Sequence, residues 1–247
     1  MFDILFARTF IIVWGMLLIT AAGAFINKTF ETKTELWVTV VASFVLLFGV
    51  LIFADSFPLN LALVAAFSGV VGWQIWPTIE HYWESFKVNK YLKSKGIVLK
   101  KWETLTPEQL LDVSEYLKNN PSGNEWNKIV SQALFWTALA VVCTASIVFL
   151  TQYDFGFLWW ILFIALLMLI IVGLLNIFFF KSPLLSLVKA YFWVVIFTLY
   201  LLYDFNRLEK AAGDETWWTA VSIAVSIYLD IINLFLDLLQ ILWGGDN

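Results

Sequence analysis

The chain has 247 residues, of which 61% are hydrophobic and 14% charged, with a net charge of −4 and a mean hydropathy of +0.83. A soluble domain carries roughly 45–50% apolar and about 25% charged residues, and it could not hide this much apolar surface from water. Composition therefore excludes a soluble globular fold. With no basic stripe or RNA-binding motif, it gives no reason to expect nucleic acid as a partner.

A helix needs about 20 mostly apolar residues to cross the hydrocarbon core. Seven stretches qualify: 9–26, 36–54, 57–79, 130–150, 156–180, 184–204 and 216–243. Their apolar runs are continuous rather than alternating, which predicts helices and not a barrel. In the first, Ala22-Gly23-Ala24 has the look of a signal cleavage site, but the run from Thr9 to Ile26 exceeds the usual h-region of about 7–15 residues. A retained membrane helix is the expectation. Asp55–Pro58 joins the second and third spans, and Thr151–Gly156 joins the fourth and fifth, so both pairs are antiparallel neighbours. Trp37, Trp73, Trp76, Trp83, Trp159, Trp160, Trp217, Trp218 and Trp243 fall near proposed helix ends, at the headgroup level that amphipathic rings favour. Pro58, Pro77 and Pro183 lie at boundaries too, where a missing N–H costs least. Gly15, Gly23, Gly49, Gly69 and Gly72 are expected to allow close helix approach, and Cys143 to be a small buried hydrophobe.

Residues 80–129 interrupt this pattern and divide the chain into 1–79 (helices one to three), a soluble helical insert, and 130–247 (helices four to seven). Glu80 to Lys128 holds eight of the fifteen basic residues and seven acids. Thr106-Pro107-Glu108-Gln109 reads as a helix start, with Thr as N-cap, Pro at the first position and Gln in a capping box. That helix should end near Asn119, and an earlier one near Gly96. His81, the single histidine, reads as a solvated interfacial residue. Gln132 and Asn176, alone in apolar helices, are expected to hydrogen-bond between helices.

The charges of the loops give a weak orientation. Assigned alternately, Lys28, Lys33, the insert, Lys181 and Lys189 place twelve Lys/Arg on one side, against Arg8, Arg207 and Lys210 on the other. That distribution puts the amino terminus outside.

Ionisable residues inside spans carry the chemistry, because each costs at least ~2.5–3.5 kcal/mol at the bilayer centre. Asp204, Asp230 and Asp237 all lie in the last two spans. At about 100° per residue, Thr219, Ser222, Ser226, Asp230, Asn233, Asp237 and Gln240 fall on one arc of about 80° of the seventh helix. Such a stripe cannot face lipid and must face other helices or a water-filled cavity. Asp204 closes the sixth span, and about eleven residues return the chain, so helices six and seven are expected to be antiparallel neighbours. If Asp204 and Asp230 meet, two carboxylates in a low-dielectric site cannot both ionise cheaply, and they share a proton as a pH-sensitive gate. Fully ionised, they offer hard oxygen ligands suited to Ca²⁺. The bland alternative pairs an interfacial Asp204 with Arg207 or Lys210 and leaves Asp230 hydrogen-bonded between helices. There is no nucleotide loop, HExxH, Ser/His/Asp set or cysteine cluster, so no enzyme activity and no cofactor are expected.

Ser226-Ile227-Tyr228-Leu229-Asp230-Ile231-Ile232-Asn233-Leu234-Phe235-Leu236 resembles the last-helix signature of the Bax inhibitor-1 family, also called the transmembrane Bax inhibitor motif family. Tyr203-Asp204 is similar to its sixth-helix motif. Gln132-Ala133-Leu134 with Thr137, Asp154-Phe155, Leu175-Asn176-Ile177-Phe178 and Gly15 to Ala22 follow the pattern further back. The resemblance is to a bacterial-type member with an extra insert. It implies an all-α bundle of seven transmembrane helices in the prokaryotic plasma membrane, with a cytoplasmic amino terminus, opposite to the charge count. It further implies a calcium leak gated by Asp204 and Asp230, with calcium or protons as the partners besides lipid. Bacterial members of the family also modulate a membrane protease and stress responses. Departures are clear. Some bacterial relatives latch the sixth-helix aspartate with an arginine from an early helix, whereas no Lys or Arg lies between Glu35 and Phe86 here. Asp237 and Gln240 stand where relatives more often have apolar and basic residues.

The expected function is a pH-sensitive cation leak. The alternative is a non-transporting modulator that binds a membrane protease or another membrane complex through the insert. A proton-coupled transporter would want an inverted repeat or broken helices, and the sequence has neither.

Overall fold

The computed structural model describes residues 4–26, 30, 32–97, 106–119, 122–151, 153–180 and 183–244. Among these, the chain forms α1 (Ile4–Ala24), α2 (Lys33–Ile52), α3 (Leu59–Lys95), α4 (Pro107–Asn119), α5 (Gly123–Thr151), α6 (Leu158–Leu175), α7 (Pro183–Lys210) and α8 (Trp217–Gly244). A π-helical turn, Asn176–Phe180, continues α6. All but α4 are long and apolar enough to span a bilayer, giving the seven expected crossings.

The helices are longer than their apolar cores. Pro77 does not end α3, which runs on to a left-handed Gly96 cap at φ 64°. A proline inside a membrane helix is tolerated when neighbours re-satisfy the freed backbone groups, and here the far half of α3 is held from outside. Val113 of α4 is buried against Tyr91 and Leu92 of α3, Lys90 bonds both Glu125 carboxylate oxygens at 2.8 Å, and Trp126 stacks near Trp83 and Phe86. The insert is therefore two extended membrane helices with α4 laid on one of them, and the boundaries at 79 and 130 fall inside continuous helices. α4 starts at Pro107 and stops at Asn119 as its sequence predicts; the capping role of Gln109 lies outside the described side chains.

α8 is the axis of the bundle. Half of it is buried, against 11% for α2, and it touches α1, α2, α3, α5 and α7. α2 rests on α3, and α6 on α7, so both present wide apolar faces outward. Cys143 is exposed, a correction with a simple cause: a membrane protein's lipid-facing wall is apolar, so an apolar run does not mean burial in protein. Gln132 is likewise exposed on α5 and makes no bond to another helix among the described residues. Of the glycines, Gly23 and Gly72 set the α1–α3 approach. A Cβ on Gly72 would lie 2.3 Å from the Thr20 carbonyl oxygen, and one on Gly23 would lie 2.8 Å from the Gly69 carbonyl oxygen. Gly15 has nothing within 4 Å and Gly49 only ordinary contact with Leu63, so neither has the expected role.

Three loops meet at one end of the bundle, here the loop face. Asp55 in the α2–α3 turn accepts from the Trp218 N–H at 2.7 Å and caps α8. Arg8 donates to the Glu215 carbonyl at 2.5 Å and lies over the Trp217 ring. Lys210 pairs with Asp154. The opposite end, the insert face, carries α4.

Candidate functional site

α7 continues to Lys210, which places Asp204 six residues, about 9 Å, inside the helix instead of at its end. Asp230 stands thirteen residues after Trp217 and fourteen before Gly244, at mid-helix. The two are 3% and 6% exposed, and their carboxyl groups meet in a side-chain hydrogen bond between α7 and α8. The arrangement left open by the sequence is thus settled in favour of contact, and the ion pair of the bland alternative coexists with it. Arg207 Nη1 donates to Asp204 Oδ1 at 3.0 Å, one turn along the same helix.

Two carboxyls can hydrogen-bond only if one of them carries a proton. The Arg207 guanidinium lies against Asp204, so a shared proton costs least on Asp230. The Asp230 Oδ2 atom is buried and receives no donor among the described residues. Ionised, Asp230 would be a second, unpaired charge in a buried site, which is strongly unfavourable.

The surrounding residues fix the pair's position. Asn206, 2% exposed, donates to the Tyr153 carbonyl at 3.3 Å and accepts from the Phe155 N–H at 3.2 Å, tying the α5–α6 loop to α7. In that loop the Lys210 ammonium, then the Gly156 N–H, hold Asp154 below the usual carboxylate range. Asp214, before α8, is held low by the Thr219 hydroxyl and then by Thr216. A cavity of about 400 Å³ opens on the loop face beside Arg207, lined also by Tyr203, Asn206, Lys210, Thr219 and Ile223.

The polar stripe of α8 does not act as one site. Thr219, Ser222 and Asp230 are buried, whereas Ser226, Asn233, Asp237 and Gln240 are half-buried. Asn233 donates to the Leu229 carbonyl of its own helix at 2.8 Å and borders a cavity of about 350 Å³ between α2, α3 and α8. Asp237 lies two turns beyond Asp230 on α8 and is half-buried. Among the described residues no three His, Cys, Asp or Glu side chains come together. As it stands, the Asp204–Asp230 pair offers two carboxyls beside an arginine, short of the 6–8 oxygens Ca²⁺ takes.

Of the two cations that the sequence offered for Asp204, Arg207 is the one bonded to it, while Lys210 pairs with Asp154. Lys189, counted with the loop charges, lies six residues inside α7; its signal was a lone lysine between apolar runs.

Fold and site together define a polytopic membrane protein whose last two helices share a buried carboxyl pair. The model of the family described as inhibitor of apoptosis-promoting Bax1 matches residues 122–247, and the chain belongs to that family, the Bax inhibitor-1 family. It is 28% identical over 231 residues to an uncharacterized protein of Helicobacter pylori, covering 92% of this chain and 81% of that one. A BI1-like protein of Arabidopsis thaliana is 36% identical over 123 residues, 49% of this chain and 47% of the plant protein. The Golgi anti-apoptotic protein of Vaccinia virus is 36% identical over 114 residues, 46% of each. Against the plant and viral proteins the match thus spans just under half of their length.

Proposed function

We propose that the protein is a pH-gated cation leak pathway, with Ca²⁺ as the favoured ion and Asp204 and Asp230 as the gate. The observation that carries this reading is the contact between the two buried carboxyls of α7 and α8, with Arg207 bonded to Asp204. One proton holds α7 to α8. Its loss leaves two anions facing each other, whose repulsion pushes the helices apart and frees hard oxygen ligands for a cation. The closed form is therefore the proton-holding form, a two-state element biased by charge, and leak rises as pH rises.

The test is Ca²⁺ uptake into liposomes carrying the purified protein from pH 5 to 8, beside the Asp204→Asn/Asp230→Asn variant. Uptake that grows with pH and is lost in the variant supports the gate. Uptake indifferent to pH, or unchanged in the variant, refutes it.

Family membership also suggests an anti-apoptotic type of membrane protein, after the relatives' names. One observation favours a non-transporting, partner-binding role: α4 turns Leu111, 70% exposed, away from α3. If the protein instead restrains a membrane protease or other membrane complex, Leu111→Glu abolishes partner binding and the aspartate variants do not.

A further inference from the structure

The cavity of about 350 Å³ between α2, α3 and α8 lies within the membrane-spanning part of the molecule, and the gate does not use it. Its lining runs from Phe67 of α3, 2% exposed, to Phe44 of α2, 58% exposed. α2 is also the least buried of the seven spans. The cavity therefore reaches from the core of the bundle to its lipid-facing wall.

Nine of the thirteen lining residues are apolar; the exceptions are Ser43, Gln74, Thr78 and Asn233. Three of these spend a donor on their own helix. Ser43 Oγ donates to the Thr39 carbonyl at 3.1 Å, Thr78 Oγ1 to the Gln74 carbonyl at 3.4 Å and Asn233 Nδ2 to the Leu229 carbonyl at 2.8 Å. Gln74 has no such outlet: its Nε2 atom is buried and has no partner among the described residues. A buried amide donor costs free energy until an acceptor reaches it. A water molecule would satisfy the amide but leave most of the wall, which is apolar, facing a void. The site asks for an apolar body that carries an acceptor oxygen.

Depth says which oxygen. Gln74 stands fifteen residues after Leu59, about 22 Å along α3, and Thr78 nineteen, about 28 Å. Asn233, sixteen residues after Trp217, reaches about 24 Å along α8. Both helices start at the loop face, and the hydrocarbon core is about 30 Å thick. The polar end of the cavity thus lies just inside the insert-face edge of the core, level with Trp73 and Trp76, rings of the kind that favour the interface. Glycerolipids carry their ester carbonyls at that edge. Val71, Phe67 and Leu229 extend the lining from there toward the bilayer centre, where acyl chains run.

We propose that this cavity binds a membrane glycerolipid of the insert-face leaflet, with one acyl chain along Phe67, Val71 and Leu229 and its ester carbonyl accepting from Gln74 Nε2. The bound chain completes the packing of α2 against α8. This site is independent of the leak reading.

The test adds dioleoyl phosphatidylglycerol, or its diether analogue with the same chains and headgroup but no ester carbonyl, to the purified full chain in detergent. Tm is read by tryptophan fluorescence. The parent should reach half its shift at about fivefold less diester than diether, the worth of one net hydrogen bond. Gln74→Leu should erase that preference, and Val71→Phe, which fills the apolar part, should erase the saturable shift with either lipid. Gln132→Leu, at an exposed position on α5, should keep both. An amide that is merely unsatisfied predicts that Gln74→Leu raises Tm equally with and without either lipid, and that result overturns the proposal. So does a parent that treats the two lipids alike, which leaves Gln74 to water, or one that responds to free oleate as well as to the diester, which makes the ligand a fatty acid. A second measurement does not rest on stability. Native mass spectrometry should show the parent retaining one diester molecule about fivefold more tightly than Gln74→Leu does, and equal retention overturns the site.

Discussion

Replacing Gly72 by alanine tests whether the α1–α3 crossing is as tight as the structure has it. The new Cβ would lie 2.3, 2.9 and 3.0 Å from the carbonyl oxygen, Cα and carbonyl carbon of Thr20. All three are backbone atoms, so no side chain can swing away, and α1 must retreat by about 1 Å to restore ordinary contact. Overpacking of this kind costs about 1–3 kcal/mol. The retreat also strains Thr20, whose hydroxyl lies 2.6 Å from the Tyr228 hydroxyl of α8 and donates to the Ser68 carbonyl of α3 at 3.1 Å. Losing both bonds of that junction adds about 2 kcal/mol, for a total of about 3–5 kcal/mol. For a chain of this length that is a fall of about 6–20 °C in the apparent Tm, read by tryptophan fluorescence in detergent. Gly15→Ala, with open space around it, should leave Tm unchanged within about 2 °C or raise it. Equal Tm values for Gly72→Ala and Gly15→Ala would refute the packing argument.

Other substitutions probe the gate and its supports. Arg207→Met removes the cation bonded to Asp204, and if the pair is the gate the flux profile should move to higher pH by about one unit or more; an unchanged profile would remove Arg207 from the gate. Asp154→Asn tests the opposite expectation. Lys210 first, then the Gly156 N–H, depress the Asp154 pKa, so its contribution is fully present above the ordinary carboxylate value and is lost only as pH falls through the depressed one. Between pH 5 and 8 it is constant, and flux measured over that window should keep its shape in the variant. Asp55→Ala removes the cap on the Trp218 N–H and should cost about 1 kcal/mol, seen as faster hydrogen exchange confined to the first turn of α8.

How much of this was legible in the sequence depends on the range of the interaction. Lipid as solvent demands long apolar runs, so the number of crossings and the class of fold could be counted from composition along the chain. The π-helical turn, the run of α3 through Pro77 and the true start of α5 could not, because those rest on contacts with other helices, such as Val113 on Tyr91 and Lys90 on Glu125. The polar arc of α8 was readable because 3.6 residues per turn brings it to one side. Which helix faces which part of that arc was not.

The sequence by itself determined that carboxylates lie inside the membrane and that α8 turns its polar side inward, since a bilayer has no water to solvate either. Only the tertiary structure decided that Asp204 and Asp230 meet and that Arg207, rather than Lys210, attends them. Those outcomes turn on the stagger of α7 against α8. A shift of one turn there moves a side chain about 5 Å, more than the reach of a hydrogen bond, and that stagger is set by packing and capping elsewhere: Asp55 on the start of α8, Asn206 on the α5–α6 loop, and Gly72 under Thr20.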